Sequence, residues 1–316
     1  LLALVLAPAS SLACETCAMF SATNLREGKE NTFSVSVSEQ FTEYQLSSSA
    51  PSLNSIGNAD VLKRYSTTQF SLGYDITPRW GFQLSLPVIV REFDLIKQYR
   101  RSAESESGVG DISLLVDYTP YSARELSYAV HTSVYAGLKT PTGDTGSLED
   151  QIVVPEGEPA DLVLDAAKHH TGGGIPGLQG QVLALGSGSW DTFVGTGALL
   201  RWERYLVLGT AEYTFRSEGD FEYRYADDLL WSAGPAVYLM LEDELTIAVQ
   251  GLLSGEYKRK DVHDGVKVSG TAVNHLFAGP ALILTGAEQL AGEVSFQLPV
   301  YTDDPDALVV PEWRIK

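Results

Sequence analysis

Two thiols lie close together in Cys14-Glu15-Thr16-Cys17, and Met19 follows them. In an oxidising envelope such a pair forms a disulfide, which is the first expectation here. Three other chemistries stay open: lipid modification of Cys14, docking of a redox partner, and a soft metal such as Cu(I) held by Cys14, Cys17 and Met19. Two thiolates without a nearby histidine make a poor closed zinc site. Ala18 stands where haem attachment needs histidine, so no resident cofactor is expected. A second group lies in the stretch 140–189, where Glu149, Asp150, Glu156, Glu158, Asp161 and Asp165 precede His169 and His170. That mixture suits a hard or borderline cation, and equally a solvated loop. His131 and Ser133 stand two apart with no carboxylate partner evident in the sequence, and there is no nucleotide-binding loop or zinc-protease motif. The expectation is therefore not an enzyme.

Positioning such residues falls to the rest of the 316-residue chain, which is 44% hydrophobic and carries 41 Asp+Glu against 22 Lys+Arg, for a formal charge of -19. The acidic balance excludes nucleic acid as a partner, since phosphate binding needs a basic surface. Mean hydropathy is near neutral at -0.03. The apolar residues are thus dispersed, and beyond the first positions none of their runs reaches the length of a membrane helix. Alternating strands hide a membrane signal from any such average.

Alternation is what the sequence displays. Trp80, Phe82, Leu84, Leu86, Val88 and Val90 share one face, while Gln83, Ser85 and Arg91 share the other. The same period of two runs through the stretches from Tyr128, from Leu245 and from Leu290, because successive side chains of a strand point to opposite faces. Strands are expected at about 31–44, 63–76, 80–96, 111–120, 127–139, 190–202, 204–216, 228–241, 245–257, 273–284, 289–301 and from 309 onward. They exceed the usual soluble strand and suit a tilted bilayer crossing. Short and long connections alternate closely, though not strictly, as periplasmic turns and extracellular loops do in outer-membrane barrels. The fold class is all-β: a transmembrane antiparallel up-and-down β-barrel of about twelve strands spanning 31–316.

Cost decides which face meets lipid. A Lys or Arg at mid-bilayer on that face costs about 2–4 kcal/mol. The polar sets therefore face the lumen, led by Gln83, Arg91, Asp117, His131, Lys139, Glu212, Gln250 and Glu293. Aromatic residues near strand ends, among them Tyr44, Tyr74, Trp80, Tyr118, Tyr128, Trp190, Trp202, Tyr205 and Trp231, are assigned to the interfacial girdles.

At the start, the apolar run from Leu1 to Ala7 is followed by Pro8-Ala9-Ser10-Ser11-Leu12-Ala13, which reads as the remnant of a secretory signal peptide over 1–13. Residues 14–30 then form a periplasmic arm with the cysteine pair. The end reads as a final strand only begun.

Three stretches resemble an outer-membrane transporter family named for the meta-pathway of phenol degradation. They are Gly108-Val109-Gly110-Asp111-Ile112-Ser113, then Gly137-Leu138-Lys139-Thr140-Pro141-Thr142-Gly143-Asp144, then Leu185-Gly186-Ser187-Gly188-Ser189-Trp190-Asp191. The resemblance implies an outer-membrane channel or transporter for small, hydrophobic or aromatic molecules, with the bilayer and the solute as partners. The alternative is a structural barrel whose cysteine-bearing periplasmic arm docks a redox or metal-handling protein.

Overall fold

A computed structural model describes residues 30–46, 59–97, 100–148, 183–242, 244–268, 271–286, 290–303 and 309–316. In chain order the strands are β1 (Thr32–Leu46), β2 (Ala59–Thr77), β3 (Trp80–Lys97), β4 (Arg100–Val109), β5 (Ser113–Arg124), β6 (Tyr128–Lys139), β7 (Asp191–Trp202) and β8 (Tyr205–Phe215). There follow β9 (Tyr223–Arg224), β10 (Asp228–Leu241), β11 (Leu245–Lys258), β12 (Val262–His263), β13 (Val266–Lys267), β14 (Val273–Gly286), β15 (Leu290–Thr302) and β16 (Val309–Ile315). Twelve of them close a ring in the order β1-β2-β3-β5-β6-β7-β8-β10-β11-β14-β15-β16. Closure runs through β16, which pairs with β1 from Phe41–Ile315 to Leu46–Val309 and touches β15 at Phe296–Ile315 and Gln297–Arg314. Pairs between neighbours in the ring are antiparallel, as hairpin connection requires. Short and long connections alternate around this ring.

One strand corrects the sequence reading. Residues 97–110 read as a loop, yet β4 pairs with β3 from Val88–Val109 to Lys97–Arg100, above the stretch where β5 pairs with Trp80 to Ser85. β4 and β5 are two parts of one broken strand, and Gly110 N donates to Pro87 O at 2.9 Å in the break. The segment from Arg100 to Glu106 alternates charge and serine with no apolar face. A ribbon rising past the bilayer needs none, so period-two hydrophobicity could not find it.

The exterior is apolar: Val35 is 79% exposed, Leu84 46% and Val294 62%. In water a continuous surface of this kind would drive association; against hydrocarbon it is the stable arrangement. Among the described residues no helix is long and apolar enough to cross a membrane; the strands are the crossing elements. This is the architecture of an outer-membrane barrel. Outward aromatics mark the short-turn end, where Trp80 and Tyr118 lie 4.6 Å apart and Tyr128, Trp202 and Tyr205 are exposed. Trp190 and Phe215 mark the long-loop end. Tyr44 does not join them: it is buried at 3% exposure, because β1 carries its even-numbered residues on the inner face.

The long-loop end carries a small sheet of β9, β12 and β13 over a buried cluster of Leu148, Ala184, Tyr223, Tyr225 and Val268.

Candidate functional site

Strand phase decides what the interior contains. Gln83 faces inward and donates from Nε2 to Ser85 Oγ at 3.0 Å, and Ser85 in turn meets Ser71 at 2.9 Å. Asp117 and Asp75 both lie over the inner face of Gly81, where a Cβ would collide with their carboxylates. His131 and Gln250 are buried on the inner face, and Gln250 Nε2 donates to Gly234 O at 3.2 Å. Glu293 is partly exposed on the inner face of β15. Arg91, Lys139 and Glu212 also point inward, each in one of three separate constellations described next. Cys14, Cys17, Met19, His169 and His170 lie outside the described residues, as do the segments 1–13 and 14–29. Among the described residues no group of three or more His, Cys, Asp or Glu side chains is disposed to hold a metal.

The first constellation is a buried ionic network at the long-loop rim. Lys139 Nζ contacts Asp191 at 2.9 Å and Asp111 at 3.3 Å, and Arg216 bridges Asp191 at 2.9 Å and Asp228 at 2.5 Å. Asp111 also accepts from Gly143 N at 2.9 Å and from Ser187 N and Oγ at 2.8 Å, while Ser189 Oγ donates to Asp191 at 2.8 Å. Leu185 N and Gly186 N both reach Asp144 O at 3.0 Å. The backbones of Gly143 and Gly186 pass so closely that a Cβ on either would overlap the other chain. The three sequence stretches that carried the family resemblance thus meet in one place. They fasten the chain on either side of the long β6–β7 connection to the barrel's inner rim. Sequence spacing showed each motif separately; their convergence needs the ring.

The second lies mid-lumen on β6, β8, β10, β11 and β16, around a small cavity lined by Tyr135, Thr210, Glu212, Ser254, Glu256 and Arg314. Tyr135 OH donates to Glu212 at 3.0 Å. Arg314 is ion-paired with Glu256, donates to Gln297 at 3.1 and 2.9 Å and to Ser254 at 3.0 Å, and lies 3.8 Å from the Phe277 ring centroid. Arg314 escaped the sequence reading. Its signal was a basic residue in inward phase next to the outward Trp313, on a strand too short to show a period.

Toward the short turns the interior changes character. Leu206, Leu208, Ala236 and Ala248 form a buried cluster with Leu199, Tyr238 and Ile283 against it. All seven are on inner faces, so the lumen is layered, with an apolar zone below a charged one. The polar sets expected at the lumen left out this layer, since two apolar faces on one strand leave no alternation to read.

The third constellation covers the inner face of β1, β2 and β3. Lys63 Nζ lies 4.3 Å from the Tyr65 ring centroid and 4.9 Å from that of Tyr44, the rings are 5.4 Å apart, and the Arg91 guanidinium is 4.4 Å from Tyr65. Register makes this stack: Tyr44 pairs with Lys63 and Tyr65 with Arg91 across the strands. In ring order β2 and β8, which carries Glu212, are five strands apart, and β3 and β11, which carries Glu256, are six apart. The cationic wall therefore faces the wall bearing Glu212 and Glu256.

Beyond the barrel wall, Asp261 sits beneath the small sheet. Lys258 Nζ reaches its two oxygens at 2.8 and 3.0 Å, Tyr223 OH donates at 2.8 Å and Ala226 N at 2.8 Å. Burial nonetheless raises its carboxyl above the ordinary value, outweighing the lowering by Lys258. Tyr223 is pushed well up by the same burial and by the Asp261 charge.

No family model matches the sequence, and no curated protein is similar to it in sequence. Among solved structures, the COG4313 outer membrane channel from Pseudomonas putida F1 superposes with a TM-score of 0.51 at 12% identity, over 90% of this chain and 93% of that one. At that identity the likeness is one of fold: the chain shares the barrel architecture of this channel.

Proposed function

We propose that the chain is a passive outer-membrane channel for small, hydrophobic or aromatic molecules. The observation that carries this is the layered lumen inside a closed barrel with an apolar exterior. Twelve strands enclose less space than the 16–18 of an open aqueous porin and more than the eight that side chains alone fill. The charged mid-lumen offers hydrogen-bonding and ionic contacts, while the zone of Leu206, Leu208, Ala236 and Ala248 resists hydrated ions. A solute with an apolar body and one polar group meets both requirements. The similarity in fold to an outer membrane channel supports the same reading. The test is flux into proteoliposomes carrying the full chain. Benzyl alcohol and similarly sized apolar solutes enter faster than glucose and potassium chloride; equal entry for all, or none above protein-free vesicles, refutes the proposal.

A further inference from the structure

We infer that the wall is open between β15 and β16 toward the long-loop end, and that this slot admits apolar solutes from the bilayer to the lumen. This rests on the lumen being the solute path and names a side entrance to it. β15 pairs with β16 at Phe296–Ile315 and Gln297–Arg314, and Ser295 and Lys316 exchange backbone hydrogen bonds at 2.9 and 3.0 Å. Above these, Leu298 to Thr302 of β15 and Val309 to Trp313 of β16 form no pairs with each other among the described residues. On its other side β16 stays paired with β1 as far as Leu46–Val309. At about 3.3 Å per residue, the unpaired stretch of β15 is roughly 16 Å long.

The residues of the two strands hold them apart. Ser295 turns its N–H and C=O toward β16, so by alternation Gln297 and then Pro299 do the same. Proline has no N–H to give at that position. A bulge follows it, since Phe277–Pro299 and Leu276–Tyr301 are successive pairs that skip Val300. On β16 the pairs Glu43–Trp313 and Tyr44–Pro311 skip Glu312, which is exposed. Bulges at neighbouring levels bend both edges and end the ladder.

The surroundings name what passes. Outward, Phe296, Leu298 and Val300 are exposed, so the slot faces hydrocarbon up to Tyr301, whose hydroxyl donates to Asp303 at 3.3 Å. Trp313 forms its sill, with ring centroids 5.2 Å from Phe41 and 6.3 Å from Phe296. Inward, Phe277 flanks it opposite Pro299, and Gln297 and Arg314 connect it to the mid-lumen constellation. Gln297 Nε2 and Thr42 Oγ1, buried at its base, have no hydrogen-bond partner among the described residues. Unpaired backbone is not left against lipid; at membrane depth it is tolerated where it borders a polar or water-filled space. The slot therefore suits a solute whose apolar body dissolves in hydrocarbon and whose single oxygen meets the unpaired backbone and the two side-chain donors. Once inside, that solute meets the apolar layer below.

The test uses the full chain in proteoliposomes, with Cys14→Ser and Cys17→Ser as background and cysteines introduced in pairs. Phe296→Cys with Ile315→Cys, at a paired position, forms a disulfide on mild oxidation. Leu298→Cys with Trp313→Cys, one step higher, does not, and is joined instead by a longer, reducible bifunctional thiol reagent. Bridging this higher pair reduces benzyl alcohol flux to that of protein-free vesicles and leaves potassium chloride conductance unchanged; reduction restores the flux. Pro299→Val, which returns the missing N–H, lowers the same flux without any cysteine. A disulfide at the higher pair that forms as readily as at the lower one, or flux unmoved by bridging, overturns the inference and leaves the channel reading standing. No benzyl alcohol flux from the unbridged chain sinks the channel reading, and the side entrance with it.

Discussion

Replacing Asp191 by asparagine tests the rim network directly. Asp191 is fully buried and contacts both Lys139 and Arg216. Each cation keeps a second carboxylate, Asp111 at 3.3 Å and Asp228 at 2.5 Å, so removing the central charge orphans neither. Breaking a buried pair outright costs about 3–5 kcal/mol, and a hydrogen bond to a charged group is worth about 1.5–3 kcal/mol. With both cations still paired, the lower end applies, about 3 kcal/mol. Arg216→Met is the more severe change. It leaves Asp191 and Asp228 buried near each other without the guanidinium that bridged them, so about 5 kcal/mol is expected. Urea unfolding of the refolded barrel in phospholipid vesicles, followed by tryptophan fluorescence, measures both. The order Arg216→Met worse than Asp191→Asn follows from the pairing pattern alone. A reversed order, or losses below about 1 kcal/mol for both, would refute the claim that these charges form a dry, shared network, since solvated pairs are worth that little.

Three further outcomes are expected. Leu84→Lys, on the lipid face, lowers barrel stability by about 2–4 kcal/mol, whereas Gln83→Lys on the inner face costs much less; equal losses in vesicle refolding would reverse the assignment of faces. Gly195→Ala places a Cβ on the Tyr135 ring, so it displaces the tyrosine from Glu212 and costs about 1–3 kcal/mol, visible in the same unfolding assay and absent in a Tyr135→Ala background. The raised carboxyl of Asp261 means the folded state keeps a proton that the unfolded chain has released. That contribution is fully present below the unfolded value of 3.8 and is lost as pH rises through the folded one. Hydrogen-exchange protection of β9, β12 and β13, corrected for intrinsic rates, should fall as pH rises above the unfolded value of 3.8, and Asp261→Asn should flatten the change.

Period-two patterning made the wall strands legible. Trp80 to Val90 against Gln83 and Arg91 gave the strand, its length and its lipid face together, because one cost, charge in hydrocarbon, acts on every wall strand alike. β4 was not legible because its alternation is of charge and serine, and Arg314 because β16 is too short for a period. Tyr44 shows the limit most plainly. Proximity to a strand end suggested a girdle, but β1's phase turns it inward onto Lys63.

By itself the sequence determined the twelve-strand wall, its alternating connections and which residues share a face. Only the tertiary structure decided which inner faces meet. Asp111, Lys139, Asp191, Arg216 and Asp228 join five segments of chain, and Lys63 faces Glu212 and Glu256 only because the sheet closes on itself. Alternation along a strand records contact with lipid or lumen one residue at a time. Contact across the lumen depends on ring order and register, which long-range pairing sets and no local pattern encodes.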